Sequence, residues 1–142
     1  MSSRLITIEN MKKEGIKHEQ ELVKSFKENG FVACRFPASG ASCPDLIAGD
    51  GDSIFVMEVK TTLNTLIKIR KKQIGTLNSF ANGLKAKSFI AIKFINREDW
   101  RFLKIMDLKI HGKSYSIDYN TAMLEGIEFN QLISDEYQKR LI

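Results

Sequence analysis

Apolar residues return along this chain in two rhythms. Between positions 16 and 29 the spacing is helical: Ile16, Val23 and Phe26 share one stripe, with Leu22 beside it. Gly30 follows where a left-handed residue caps a helix end. The pattern predicts a helix over 16–29, preceded by a flexible polar arm over 1–12. Phe31 to Phe36 then reads as a strand. Pro37 to Pro44 is a loop of small residues held between two prolines. Asp45 to Ala48 is a short apolar strand, Gly49-Asp50-Gly51-Asp52 a tight hairpin turn, and Ser53 to Lys60 a strand rich in β-branched and aromatic residues.

Helical spacing resumes at Ile74, Leu77 and Phe80/Ala81, so a second helix is expected to open at Lys68–Gln73 and to end at Asn82-Gly83. Lys87 to Phe94 is a strongly apolar strand, and Trp100 to Ile105 another. Tyr115 to Asp118 reads as a short strand. Gly126 to Ile133 reads as a short helix leading into a polar tail over 134–142. This order, α-β-β-β-α-β-β, predicts an α/β fold: a mixed five-stranded sheet flanked by helices over one core. Its 142 residues make one domain.

Composition narrows the class. Hydrophobic residues are 43% and charged residues 27%, as in ordinary globular chains, and two Pro with nine Gly exclude a low-complexity one. No run approaches the ~18 apolar residues of a membrane helix. Leu5 to Ile8 is too short for the core of a signal peptide. Cys34 and Cys43 form neither a disulfide framework nor a Cys-x-x-Cys knuckle. They are read as reduced thiols of an intracellular, cytoplasmic protein. No phosphate-cradling or dinucleotide-binding glycine motif is present, so no nucleotide cofactor is expected. His18 and His111 are expected to be exposed or capping, and Trp100 and Tyr115 to be packing residues.

Charge is uneven. The chain carries a formal +5, but residues 57–113 hold thirteen Lys/Arg against four Asp/Glu. A basic block of this kind is the footprint of a phosphate binder, or a solvated lysine-rich surface.

The chemistry concentrates on one hairpin. A turn centred on Asp50-Gly51 places residues whose numbers sum to about 101–103 opposite each other, so Asp45 faces Glu58 across the strands. Glu58 and Lys60 leave the same face of their strand. Facing carboxylates repel unless a cation sits between them, and oxygen ligands suit Mg²⁺ or Mn²⁺. A cation so held can polarise a phosphoryl oxygen and activate water, with Lys60 to orient that water or neutralise developing charge. An exposed salt bridge from Lys60 to either acid is the plainer alternative. Glu19 falls on the apolar stripe of the first helix, where a carboxylate is costly unless paired or metal-bound. Arg35, in an apolar strand, could grip a phosphate or pair with Glu19 or Asp45. Ser39-Gly40 sits in a loop of small side chains whose backbone could approach a nucleic acid closely, or that is simply a connector. Gln73 follows Arg70-Lys71-Lys72 at a helix N-terminus, a favourable place for an anion or simply a wet, charged first turn.

Taken together these residues resemble a known family. Gly15-x-x-x-Glu19, Gly30-Phe31, Arg35-x-Pro37-Ala38-Ser39-Gly40, Pro44-Asp45-Leu46-Ile47-Ala48, Met57-Glu58-Val59-Lys60 and Lys72-Gln73 are similar to the archaeal Holliday junction resolvases of the PD-(D/E)xK nuclease superfamily. Trp100-Arg101-Phe102 and Gly126-Ile127-Glu128 add to the likeness, which spans about residues 12–135. The resemblance implies a restriction-endonuclease-like sheet and a metal-dependent endonuclease. Such an enzyme acts as a two-fold homodimer and nicks opposed strands of four-way junction DNA in recombination and repair. It implies that Glu19, Asp45 and Glu58 hold Mg²⁺ (or Mn²⁺) with the Val59 carbonyl, and that Lys60 serves the attacking water. Arg35 and Ser39 would contact the scissile backbone, Gln73 would place water or metal, and Gly40, Arg70, Lys71 and Lys72 would belong to the DNA surface. The Phe89–Phe94 strand or the acidic C-terminal third is the expected dimer face. Two rivals remain at this point: a duplex-cutting nuclease of the same superfamily, and a non-catalytic junction binder.

Overall fold

The structure, a computed structural model, describes residues 8–37 and 42–134. Helix α1 (Ile8–Glu28) begins well before the expected residue 16, so positions 8–12 of the expected arm are helical; residues 1–7 lie outside the described residues. Its end matches the pattern: Gly30 takes φ +85°, a left-handed conformation that glycine adopts at no steric cost. The main sheet contains β1 (Val32–Arg35), β2 (Leu46–Gly49), β3 (Ile54–Thr62), β5 (Lys87–Phe94) and β6 (Arg101–Leu103), in the order β1-β2-β3-β5-β6. All neighbours are antiparallel except β3 and β5, which run parallel and are joined through helix α2 (Lys71–Leu84). The mixed five-stranded sheet flanked by helices is therefore the architecture found.

Between β3 and α2 lies a strand the helical reading missed, β4 (Leu66–Arg70). Ile67 and Ile69 are buried while Leu66, Lys68 and Arg70 are exposed. That alternation has period two, so the segment pairs as a strand and α2 opens only at Lys71. β4 belongs to a second, three-stranded antiparallel sheet with β7 (Lys109–His111) and β8 (Ser114–Asp118), in the order β4-β8-β7. A single 3₁₀ turn, Ile105–Asp107, precedes β7. Helix α3 (Tyr119–Glu125), also not anticipated, is capped by Asp118, whose side chain accepts from the Thr121 N–H. The helix expected over 126–133 is shorter. Ile127 first bridges to Phe102, and only Phe129–Leu132 (α4) is helical. Of the expected tail over 134–142, only Ser134 is described.

The main sheet is covered on both faces. On one, α1 and α4 bury Leu22, Phe26, Phe55, Phe89 and Phe102, with Phe26 edge-on to Phe31 and Phe129. On the other, α2, α3 and the small sheet bury Ile69, Ile74, Leu77, Ile90 and Phe94. Each such side chain contributes roughly 1.5–3 kcal/mol of burial. β5 lies inside the sheet and Phe89 to Ile92 are essentially inaccessible, so the Phe89–Phe94 strand is not a dimer face. Its apolar run reflects burial on both faces, which a parallel central strand requires.

Candidate active site

The β2–β3 register is Leu46↔Met57, Ile47↔Val56, Ala48↔Phe55 and Gly49↔Ile54. Continued by one residue, it places Asp45 opposite Glu58. β3 outlasts β2 by four residues beyond Glu58, so its backbone donors there have no β2 partner. Asp45 fills the gap. Its N–H donates to the Met57 carbonyl at 2.9 Å, and its carbonyl accepts from the Phe36 N–H at 3.0 Å. Its Oδ2 accepts from the Val59 N–H at 2.8 Å. The side chain is thus fixed by the strand beside it.

Glu58 is 3% exposed, beneath this carboxylate. Its own carboxyl is pushed up to about 8 by burial, then by the Asp45 charge and a hydrogen bond shared with Asp45, against the attraction of Lys60. Lys60 stands two residues on, on the same face. Its Nζ donates to Gln73 Oε1 at 3.3 Å, and the same oxygen accepts from the Arg70 N–H at 3.2 Å. Gln73 therefore caps α2 and holds Lys60 at once.

Glu19 reaches the group from α1. Its side chain is 15% exposed and lies 3.4 Å from Arg35 Nη2. Burial and then Asp45 raise its carboxyl above the ordinary value, opposed by Arg35 and Lys60. Arg35, at the end of β1, pairs with Glu19 through that one nitrogen, and its buried Nε meets no partner among the described residues. The structure thus brings together Glu19, Arg35, Asp45, Glu58, Val59, Lys60 and Gln73. Arg70, Lys71 and Lys72 are exposed beside them where β4 passes into α2. Ser39 and Gly40 lie outside the described residues.

Among the described residues no three Asp, Glu, His or Cys side chains are drawn close enough together to hold a metal ion as they stand. The donor set still fits a hard divalent cation at its centre. Two hydrogen-bonded carboxyls, one held protonated at neutral pH by burial and then by its neighbour, are the pair a cation would relieve by replacing the shared proton. Glu19 is turned toward Arg35 and completes the acidic set from the helix side.

Two histidine expectations separate. His111 is exposed, but His18 is buried on α1, 3.3 Å from Glu21 Oε2. Its neighbour Glu19 shares the inward half of the helix, a signal that was available in the spacing.

A mixed sheet whose central hairpin carries Pro-Asp and Glu-x-Lys in this arrangement defines the PD-(D/E)xK nuclease class. Comparison with known proteins narrows it. The family described as archaeal Holliday junction resolvase (hjc) matches residues 10–141, and the chain belongs to that family. It is 31% identical over 133 residues to the crossover junction endodeoxyribonuclease Hjc of Archaeoglobus fulgidus, covering 92% of this chain and 96% of that one. With the Methanocaldococcus jannaschii Hjc it shares 30% over 129 residues, 91% of this chain and 93% of that one. The solved structure of the Archaeoglobus fulgidus Hjc, a Holliday junction resolvase, superposes with a TM-score of 0.76. The aligned residues are 29% identical and cover 84% of this chain and 94% of that one.

Proposed function

We propose that this chain is a crossover junction endonuclease that hydrolyses phosphodiester bonds in four-way junction DNA, as a homodimer placing one site on each of two opposed strands. The whole chain serves as one nuclease domain. The observation that carries this reading is the buried Glu58 hydrogen-bonded to the half-buried Asp45 with Lys60 beside it, in a chain of this family. Asp45 and Glu58, with Glu19 and the Val59 carbonyl, would hold Mg²⁺, with Mn²⁺ able to replace it. When bound, the cation supplies Lewis-acid stabilisation of charge on the phosphate.

The residues do the rest. Lys60, held by Gln73, is positioned to orient the attacking water and to offset negative charge as the pentavalent phosphorus forms. Arg35 has a free buried donor suited to a phosphate oxygen. Ser39 and Gly40 would approach the scissile backbone, and Arg70, Lys71 and Lys72 would take up neighbouring phosphates. Junctions are recognised by shape because backbone contacts carry no sequence information.

The test offers the purified protein a four-way junction and a linear duplex of the same sequence, with and without Mg²⁺. Asp45→Asn should abolish cleavage while a gel-shift titration shows unchanged junction affinity. Equal cutting of both substrates removes the junction selectivity, and cleavage surviving in the Asn variant removes the site.

A further inference from the structure

The small sheet has one covered face and one open face. Ile67, Ile69 and Ile117 point into the core. The pairing register shows what shares the other face: Lys68↔Ser116↔Lys109 in one row and Arg70↔Ser114↔His111 in the next. Strand partners directly opposite lie on the same side, about 4.8 Å apart, and successive rows are about 6.8 Å apart. Lys68 and Lys109 therefore flank Ser116 across a span of about 10 Å. Ser116 is buried at the floor of a shallow cavity of about 160 Å³ that Lys109 and His111 also line. Among the described residues Lys68, Arg70, Lys109 and the turn residue Lys113 enter no ion pair. Two carboxylates, Asp107 and Asp118, line the same cavity, and the Lys109 charge helps hold the Asp118 carboxyl below its ordinary value after its hydrogen bonds from Thr121, so Lys68, Arg70, Lys109 and Lys113 outnumber the acids on this face without standing alone. Asp118 Oδ1 accepts from the Thr121 N–H at 2.7 Å, and Asp107 Oδ2 from the Lys104 N–H at 3.0 Å.

This face is continuous with the site. Arg70 closes β4 and its N–H bonds Gln73, which bonds Lys60. The Lys71 N–H donates to the Lys113 carbonyl at 3.2 Å and ties the β7–β8 turn to the start of α2. The row of cations thus begins beside the chemistry and runs outward along β4. A solvent-facing sheet must be polar, and an edge lysine deters strand pairing. Neither requirement selects positive over negative charge on both outer strands.

We propose that the outer face of β4–β8–β7 is a docking surface for the phosphate backbone of a DNA arm leaving the cleavage site, with Lys68 and Lys109 as its principal contacts and Ser114 and Ser116 as hydrogen-bonding groups between them. The inference rests on the nuclease reading and adds to it a surface outside the catalytic cluster. The ligand chemistry is a double-stranded polyanion, recognised without regard to sequence.

The experiment measures junction affinity by fluorescence anisotropy in EDTA, between 50 and 200 mM NaCl, for four proteins. Lys68→Ala/Lys109→Ala should flatten the plot of log affinity against log salt by about 1.8, the loss of two phosphate contacts. The wild-type advantage then shrinks by about 12-fold across that salt range. Lys68→Arg/Lys109→Arg should keep the wild-type slope. Lys24→Ala/Lys27→Ala, an equal charge change on the exposed side of α1, should also keep it. Junctions with stepwise shortened arms supply a readout that misfolding does not mimic. Wild type should lose affinity at an arm length to which the Lys68/Lys109 alanine variant is indifferent. An unchanged slope in that variant, or an equal loss in the α1 control, overturns the proposal. A wild-type protein that fails to bind the junction at all instead takes down the nuclease reading, and this inference with it.

Discussion

Glu58→Gln isolates the electrostatic claim on which the site rests. In the unfolded chain Glu58 ionises near 4.5; in the folded, metal-free protein it holds its proton up to about 8. Between those values the folded state binds one proton more than the unfolded state. Folding stability from this group is therefore complete below about pH 4.5, falls as pH rises, and levels off above about pH 8. The slope is about 1.4 kcal/mol per pH unit. From pH 6 to pH 9 the loss is on the order of 2–3 kcal/mol. Glutamine has nearly the same shape and no proton to lose, so the variant escapes that loss. Urea unfolding of both proteins in EDTA at pH 6 and pH 9 measures it. The advantage of the variant over wild type should grow by that amount, and Mg²⁺ at pH 9 should restore stability to wild type only. If both proteins show the same pH dependence and Mg²⁺ affects them equally, Glu58 is not a buried acid pressed against Asp45, and the proposed cation site loses its physical basis.

Other perturbations test the frame around the pair. Gln73→Ala removes the acceptor shared by the Arg70 N–H and Lys60. Thermal unfolding should register about 1 kcal/mol, a cap's worth, and junction cleavage should slow through the freed lysine. Phe26→Ala empties the centre of the Phe31–Phe55–Phe129 cluster and should cost about 3–5 kcal/mol in urea unfolding. Gly126→Ala would set a Cβ 2.5 Å from the Ala122 carbonyl oxygen and 3.0 Å from the Arg101 Cβ. Relief requires backbone movement at the Phe102–Ile127 bridge, so about 1–3 kcal/mol should be lost in the same assay.

The hairpin was readable because a tight turn leaves one number free. Gly51 takes φ +97°, and Asp50 Oδ1 accepts from the Asp52 and Ser53 N–H groups, so the turn and the register sum of 103 follow locally. Glu19 was readable as inward-facing because three helical spacings agree on it, but its distance from the pair depends on how α1 crosses the sheet, which no local pattern carries. β4 was not readable for a different reason. Two isoleucines two apart, followed by a basic run and then a clear helical stripe, suit the first turn of a helix as well as a strand. The deciding partner is β8, some 45 residues later in the chain. Arm and tail limits are not carried by the apolar stripe, since α1 starts at Ile8 although Asn10, Lys12, Lys13 and Glu14 are exposed.

The missed strand changes what the basic block means. Read as the first turn of a helix, Lys68, Arg70, Lys71 and Lys72 would radiate around an axis and only some could face one ligand. Read as a strand followed by a helix, Lys68 and Arg70 share a side by the two-residue period, and β7 adds Lys109 to that side across β8. The switch from period two to period 3.6 falls between Arg70 and Lys71, at the position where Gln73 ties backbone to Lys60. The acidic cluster with its lysine and the cationic face are therefore joined by one covalent step of backbone. A shift of register in β4 by one residue would turn Lys68 and Arg70 into the core and expose Ile67 and Ile69. The burial of those two isoleucines is what keeps the cations outward, so the hydrophobic core and the proposed docking face are set by the same alternation.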